Sequence, residues 1–230
     1  RVRGNTLVID LAKRYRIVSS APRGGGIVRG RSILNHQVPA NPVMPGGRSV
    51  TEWSDPARYL GQLARRVNAA MPVVGLMTAV PMTQLVVDRE QSGSLLLECF
   101  CTVGVTNAVR AGAPVRSRLD RKQDRNQAGT INIILVTNAT LTVPALIGAV
   151  QVATESKTAT LIKHKVPSAY ERALATGTGT DAVVLASSLA GRHKLQYSGT
   201  HTEMGAMIGR LVARCVERGL HRFARWSKAR

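Results

Sequence analysis

Residues Ala175-Thr176-Gly177-Thr178-Gly179-Thr180-Asp181 run without a break into Ala182-Val183-Val184-Leu185-Ala186. Threonine alternates with glycine, a carboxylate closes the run, and a short apolar strand follows. Glycine lets the backbone turn and approach another group closely. Each threonine hydroxyl both donates and accepts a hydrogen bond. Two readings fit: a polar loop in which Thr176, Gly177, Thr178, Gly179 and Thr180 hold a ligand against main chain, or a flexible turn before a strand. A phosphate cradle fits poorly, because the loop precedes a strand instead of opening a helix and lacks the lysine of such loops.

The clearest helical patterns flank this stretch. Thr142 to Ile162 has threonine as its N-cap and Pro144 in its first turn. At about 100° per residue, Leu146, Val150, Ala153 and Leu161 form one stripe. Lys157 falls inside that stripe and Glu155 lies opposite it. A lysine there either snorkels to solvent or is buried, in which case it needs a carboxylate partner or must lose its proton. A second helix starts near Gly199-Thr200-His201-Thr202-Glu203 and runs to about residue 220, with Thr200 and Glu203 at capping-box spacing. Met204, Ile208, Leu211 and Cys215 make its apolar stripe, and Arg210, Arg214 and Arg218 a basic row. His201 falls in the first turn, where the helix dipole disfavours imidazolium. An uncharged imidazole suits a general base, and a capping-region histidine without a catalytic role fits the spacing equally well.

Strands dominate the N-terminal two thirds. Thr6–Asp10 and Tyr15–Ser20 read as two short strands, Gly24-Gly25-Gly26 as a hairpin turn more than a binding loop, and residues 27–38 as a third strand. Residues 39–48, rich in proline and glycine, mark a loop. Asp55-Pro56 opens a helix with Tyr59, Leu60, Leu63 and Val67 on one face. Residues 73–80 form a buried strand containing Thr78, 82–90 a short helix, and 95–105 a long strand. Cys99 and Cys101 point to one side of that strand, where packed core thiols fit better than a metal pair that lacks further ligands. Asn107, just after the strand, is placed to point into a site. Residues 113–128 form an exposed basic loop, and 129–136 return to an apolar strand that starts beside Thr130. The expected fold is α+β: one layered domain over residues 1–230, with a mixed β-sheet covered by the two long helices.

Only 3% of the 230 residues are aromatic, so the core must come from aliphatic side chains and methionine. The net charge of +19 predicts non-specific attraction to polyanions and identifies no reaction. A basic nucleic-acid-binding module is therefore the alternative from another class, supported by the Arg210, Arg214, Arg218 row and opposed by the scarcity of stacking aromatics. Three cysteines without regular spacing fit a reducing compartment. No segment is long and apolar enough for a membrane helix, and Arg1 to Ser20 lacks the apolar block of a signal peptide. The expectation is a cytoplasmic protein with no membrane partner.

Several motifs, in order, resemble one family. They are Ser19-Ser20-Ala21 before the glycine triplet, Ile33-Leu34-Asn35, and Gly75-Leu76-Met77-Thr78-Ala79-Val80. Thr102 to Gly112, Gly129-Thr130-Ile131-Asn132-Ile133 and Ala153-Thr154-Glu155-Ser156-Lys157-Thr158-Ala159 follow. The Ala175–Asp181 run and Tyr197-Ser198-Gly199-Thr200-His201-Thr202 complete the set. Together they are similar to the adenosylcobinamide amidohydrolase family of cobamide salvage enzymes, from about residue 16 to 212. Thr200 and Ala206 depart from it, standing where proline and an acidic residue are usual.

The resemblance implies hydrolysis of one amide of adenosylcobinamide, releasing aminopropanol and leaving adenosylcobyric acid. The corrinoid is then the substrate, no cofactor is expected, and the need for a metal stays open. Amide hydrolysis requires an activated water or nucleophile, donors for the oxyanion and a proton for the leaving amine. On that basis His201 is the expected base, oriented by Asp181. Asn35, Asn107 and main-chain N–H groups of 175–181 are the expected oxyanion donors. Lys157 is the preferred second catalytic residue, and Thr130 a possible hydroxyl nucleophile. Gly24, Gly25, Gly26, Thr78, Asn107, Thr130 and residues 176–180 are the expected substrate-binding set.

Overall fold

One strand carries the architecture. Residues Thr6–Ser19 (β2) form a single 14-residue strand, where two short strands were expected. The break is a bulge between Asp10 and Tyr15, with Ala12 at φ 57° and its N–H held by Asp10 Oδ1 at 2.9 Å. A bulge bends a strand without ending it. The computed structural model describes residues 1–38, 55–114 and 129–228. The expected loop at 39–48 and nearly all of the expected basic loop at 113–128 lie outside them.

Around β2 come β1 (Val2–Arg3), β3 (Gly26–Gln37), α1 (Pro56–Arg66), β4 (Val73–Thr78), β5 (Val86–Ser92), β6 (Leu95–Val103) and β7 (Ala108–Val109). There follow β8 (Ile131–Thr137), β9 (Thr140–Leu141), α2 (Val143–Lys163), β10 (Gly177–Thr178), β11 (Ala182–Ser188), β12 (Lys194–Leu195) and α3 (Glu203–Lys228). The main sheet has the order β4-β3-β2-β11-β8-β6-β5, with β1 also on β2. The β3–β4 and β8–β11 pairs are parallel, and the other pairs in that order are antiparallel. This mixed sheet with separate helices is the expected α+β class.

The sheet curls on itself. Asn132 Nδ2 on β8 reaches Asn35 Oδ1 on β3 and the Met77 carbonyl on β4, both at 2.9 Å, although β4 and β8 lie far apart in strand order. Leu7, Ile9, Ile17, Ile33 and Leu76 meet Ile134, Val184 and Ala186 inside the curl. The outer face of β6, β8 and β11 packs under α2 and α3 through Leu97, Cys99, Cys101, Ile133, Leu185, Leu146, Ile208 and Leu211. Ala64 of α1 closes the other outer face on Val8, Leu34 and Val73. Strands β8 and β11 are thus covered on both faces, which explains their nearly unbroken apolar runs.

Two local expectations are corrected. Residues 82–90 are not a helix: one short turn at Met82–Gln84 leads into β5, which pairs antiparallel with β6. The N-cap of α3 is Thr202, whose Oγ1 accepts from Gly205 N at 3.0 Å, and Glu203 instead takes the Ser92 hydroxyl. By contrast, Thr142 caps α2 by accepting from Ala145 N, and Asp55 caps α1 by accepting from Arg58 N.

Candidate functional site

A cavity of about 490 Å³ opens where β4 faces the N-terminal ends of β8 and β11. Thr78, Asn107, Thr130, Thr180 and Asp181 line it, so the curl gathers five expected residues from separate parts of the chain. Asn132 also lines it and was not expected as a site residue. The available signal was an asparagine inside an otherwise apolar strand.

Asp181 is the sole titratable side chain lining this cavity among the described residues. Its Oδ1 accepts from Ile131 N at 3.0 Å and from Thr178 Oγ1 at 2.5 Å, and its Oδ2 from Thr178 N at 3.0 Å. Lys157 Nζ donates to Oδ2 at 2.5 Å. Lys157 is buried with this carboxylate partner, so it does not snorkel. It lies behind Asp181 and outside the cavity lining, on the wall formed by α2. Gly177 is confined by the pair, since a Cβ there would stand 2.6 Å from Asp181 Oδ2 and 2.7 Å from Lys157 Nζ. The Thr130 and Thr180 hydroxyls are in short contact beside Asp181, and Thr130 Oγ1 also donates to the Thr180 carbonyl at 3.1 Å.

The asparagines divide into a support and two free acceptors. Asn35 does not line the cavity: its Nδ2 donates to Thr102 Oγ1 at 3.1 Å and its Oδ1 accepts from Asn132. Asn35 is therefore a buried support for Asn132 and lies behind the cavity wall. Because Asn132 gives Nδ2 to two acceptors, its amide orientation is fixed and Oδ1 is left over. The buried Oδ1 atoms of Asn132 and Asn107 have no hydrogen-bond partner. Buried acceptors of this kind demand donors. Thr78 Oγ1 accepts from Val80 N at 3.1 Å, which frees its own proton for a ligand.

Other expected members fall elsewhere. His201 is exposed and lines a second cleft with Val143, Ile147 and Tyr197. Ile147 precedes Lys157 by ten residues on α2, roughly 15 Å of helix at 1.5 Å per residue. The expected His201–Asp181 pairing is not formed, because α2 spans the layer and carries its start, with His201, away from the threonine-glycine loop. Three main-chain donors of that loop are engaged: Ala175 N on Val166 O, Thr176 N on Val109 O, and Thr178 N on Asp181. Thr176 Oγ1 accepts from Ala111 N at 2.8 Å, and Gly177–Thr178 pair with β7. Gly179 lines no part of the cavity. The triplet Gly24, Gly25, Gly26 is the β2–β3 turn, with Gly24 and Gly26 at φ +69° and +85°.

Cysteine nucleophiles are disfavoured. A hydrogen bond that the Cys99 thiol donates to Cys215, together with burial, pushes the Cys99 thiol well up, and burial does the same for Cys101. The basic row on α3 is engaged as well. Arg210 and Arg214 contact Glu90, and Arg214 and Arg218 contact Asp88, so the carboxylates of β5 neutralise part of this row.

The sequence pattern described as adenosylcobinamide amidohydrolase matches residues 1–228. The chain belongs to the adenosylcobinamide amidohydrolase family. Membership makes it a hydrolase. A relative in Methanosarcina mazei bearing that name is 31% identical over 204 residues, 85% of this chain and 86% of its own. An uncharacterized protein of Methanocaldococcus jannaschii is 28% identical over 225 residues, 92% of this chain and 84% of its own. Among solved structures, a Burkholderia sp. beta-aminopeptidase aligns over 97% of this chain and 81% of its own, with 11% identity and a TM-score of 0.43. No helix among the described residues is long and apolar enough to cross a membrane.

Proposed function

We propose that this family member hydrolyses the aminopropanol amide of adenosylcobinamide, with Asp181 accepting the proton on Oδ1 as the Thr178 hydroxyl turns off that oxygen. Water adds to the amide carbonyl carbon, the C–N bond breaks, and the proton taken from water ends on the departing amine. The products are adenosylcobyric acid and aminopropanol, and the corrinoid is substrate throughout. Lys157 holds the Asp181 carboxylate from behind, while the Thr130 and Thr180 hydroxyls position the water beside it. The freed Thr78 proton is a donor for the oxyanion.

One observation carries this reading: the unpartnered Asn107 and Asn132 oxygens share a cavity with the Thr130–Thr180–Asp181 cluster. An amide N–H is the donor such acceptors require, and both the scissile amide and the corrin's peripheral carboxamides supply it. The volume suits a side chain and the adjoining ring edge.

The test is turnover of adenosylcobinamide, followed by formation of cobyric acid. Asp181→Asn should lower kcat by about 10²–10⁴-fold, and Thr130→Ala should lower it as well, with folding checked by circular dichroism. His201→Ala should retain turnover. Full activity in folded Asp181→Asn, or loss confined to His201→Ala, would defeat the assignment.

A further inference from the structure

A second cluster of ligating side chains lies away from the cavity, where the end of α2 meets α3. His164 is the C-cap of α2, its N–H bonded to the Thr160 and Ile162 carbonyls. Glu217 and His221 are four residues apart on α3 and so share one face. His164 Nε2 lies 2.8 Å from Glu217 Oε1, and the two imidazoles meet edge to face with centroids 5.6 Å apart. One ligand atom from each of the three residues falls within 4.8 Å of the others. We propose that His164, Glu217 and His221 bind a divalent transition ion of the zinc class, clamping α2 to α3.

The donor set selects the ion. Two imidazoles and one carboxylate suit Zn²⁺ or Co²⁺, whereas Mg²⁺ and Ca²⁺ prefer oxygen alone. Three protein ligands leave a fourth position to water. Ligand atoms about 2.0–2.2 Å from a common tetrahedral ion stand roughly 3.4 Å apart. The three ligand atoms, all within 4.8 Å of one another, therefore close around an ion by rotation of His221, an exposed side chain. Lys163 Nζ sits 3.4 Å from Glu217 Oε1 with a side chain 71% exposed, so it can withdraw without disturbing packing. The helices already meet through Ser156 Oγ, which donates to the Gly209 carbonyl at 2.7 Å. An ion at His164 would pin the far end of the same contact, seven residues beyond Lys157 and outside the cavity lining.

Tag-free protein, stripped with chelator, is titrated with Zn²⁺ and separately with Co²⁺ by calorimetry, absorption and thermal unfolding. One equivalent should bind, and Co²⁺ should show tetrahedral d–d absorption. Tm should rise by about 5–10 °C when free Zn²⁺ is about a hundredfold above its dissociation constant. His221→Ala and His164→Gln, verified as folded by circular dichroism, should each weaken binding by at least ~10-fold, while His193→Ala leaves it unchanged. Absence of a saturable site in the wild-type protein, or unaltered affinity in both ligand variants, overturns the proposal.

Discussion

Replacing Lys157 with methionine keeps the aliphatic stem and removes only the charge that faces Asp181. Their side chains are 8% and 12% exposed, so the carboxylate left behind stays largely out of water. Removing one partner of a buried pair costs about 3–5 kcal/mol. Asp181 retains the Ile131 N, Thr178 N and Thr178 Oγ1 donors, which places the loss near the lower end, about 3 kcal/mol. For a chain of this size that is a fall in Tm of roughly 6–12 °C. Urea unfolding followed by far-UV circular dichroism measures it. In Lys157→Met/Asp181→Asn the stranded charge is gone, so the double variant should lose at least about 1 kcal/mol less than the two single losses added together. A Lys157→Met protein within about 0.5 kcal/mol of wild type, or strict additivity in the double variant, would refute the buried-pair account.

Three further outcomes follow from the geometry. Gly177→Ala should cost about 1–3 kcal/mol, because its Cβ strikes Asp181 and Lys157, whereas Gly179→Ala, with nothing within 4 Å, should be neutral in the same unfolding assay. His36 is bonded to Thr6 Oγ1 and Tyr59 OH, and burial followed by the nearby Arg66 charge holds its pKa below the usual 6.5. Its stability contribution should be complete above that ordinary value and decline as pH falls from about 6.5 toward the depressed folded pKa; equilibrium unfolding of His36→Gln should show a flatter slope across this window. Cys99, Cys101 and Cys215 are buried, so a thiol reagent should label the native protein only at the rate of unfolding and react fully in denaturant.

What the residues disclosed by themselves was local. Thr142 and Asp55 announced their helices, because an N-cap acts on N–H groups only three residues away. The Lys157 question could be posed from its stripe but not answered, since Asp181 arrives from another element. Strand β5 was hidden for a related reason. Its Asp88 and Glu90 face arginines on α3, so part of the stretch read as a short helix is an edge strand with alternate carboxylates turned toward α3. The misplacement of His201 came from reading it beside the threonine-glycine loop without the strand order, which sets α2 between them. Family resemblance identified the kind of enzyme; it did not reveal Asn132, whose importance comes from which of its amide atoms Asn35 leaves unbound.

Strand β2 joins residues near the start of the chain to β11, with Ser19 beside Val184 and Tyr15 beside Ser188. During synthesis, β2 leaves the ribosome long before its neighbour β11 exists. The Tyr15–Ser19 part of one β2 edge must therefore wait, unpaired, until about residue 188 has emerged. An exposed strand edge recruits foreign strands, so termination before β11 has been made should yield sticky fragments instead of smaller working proteins.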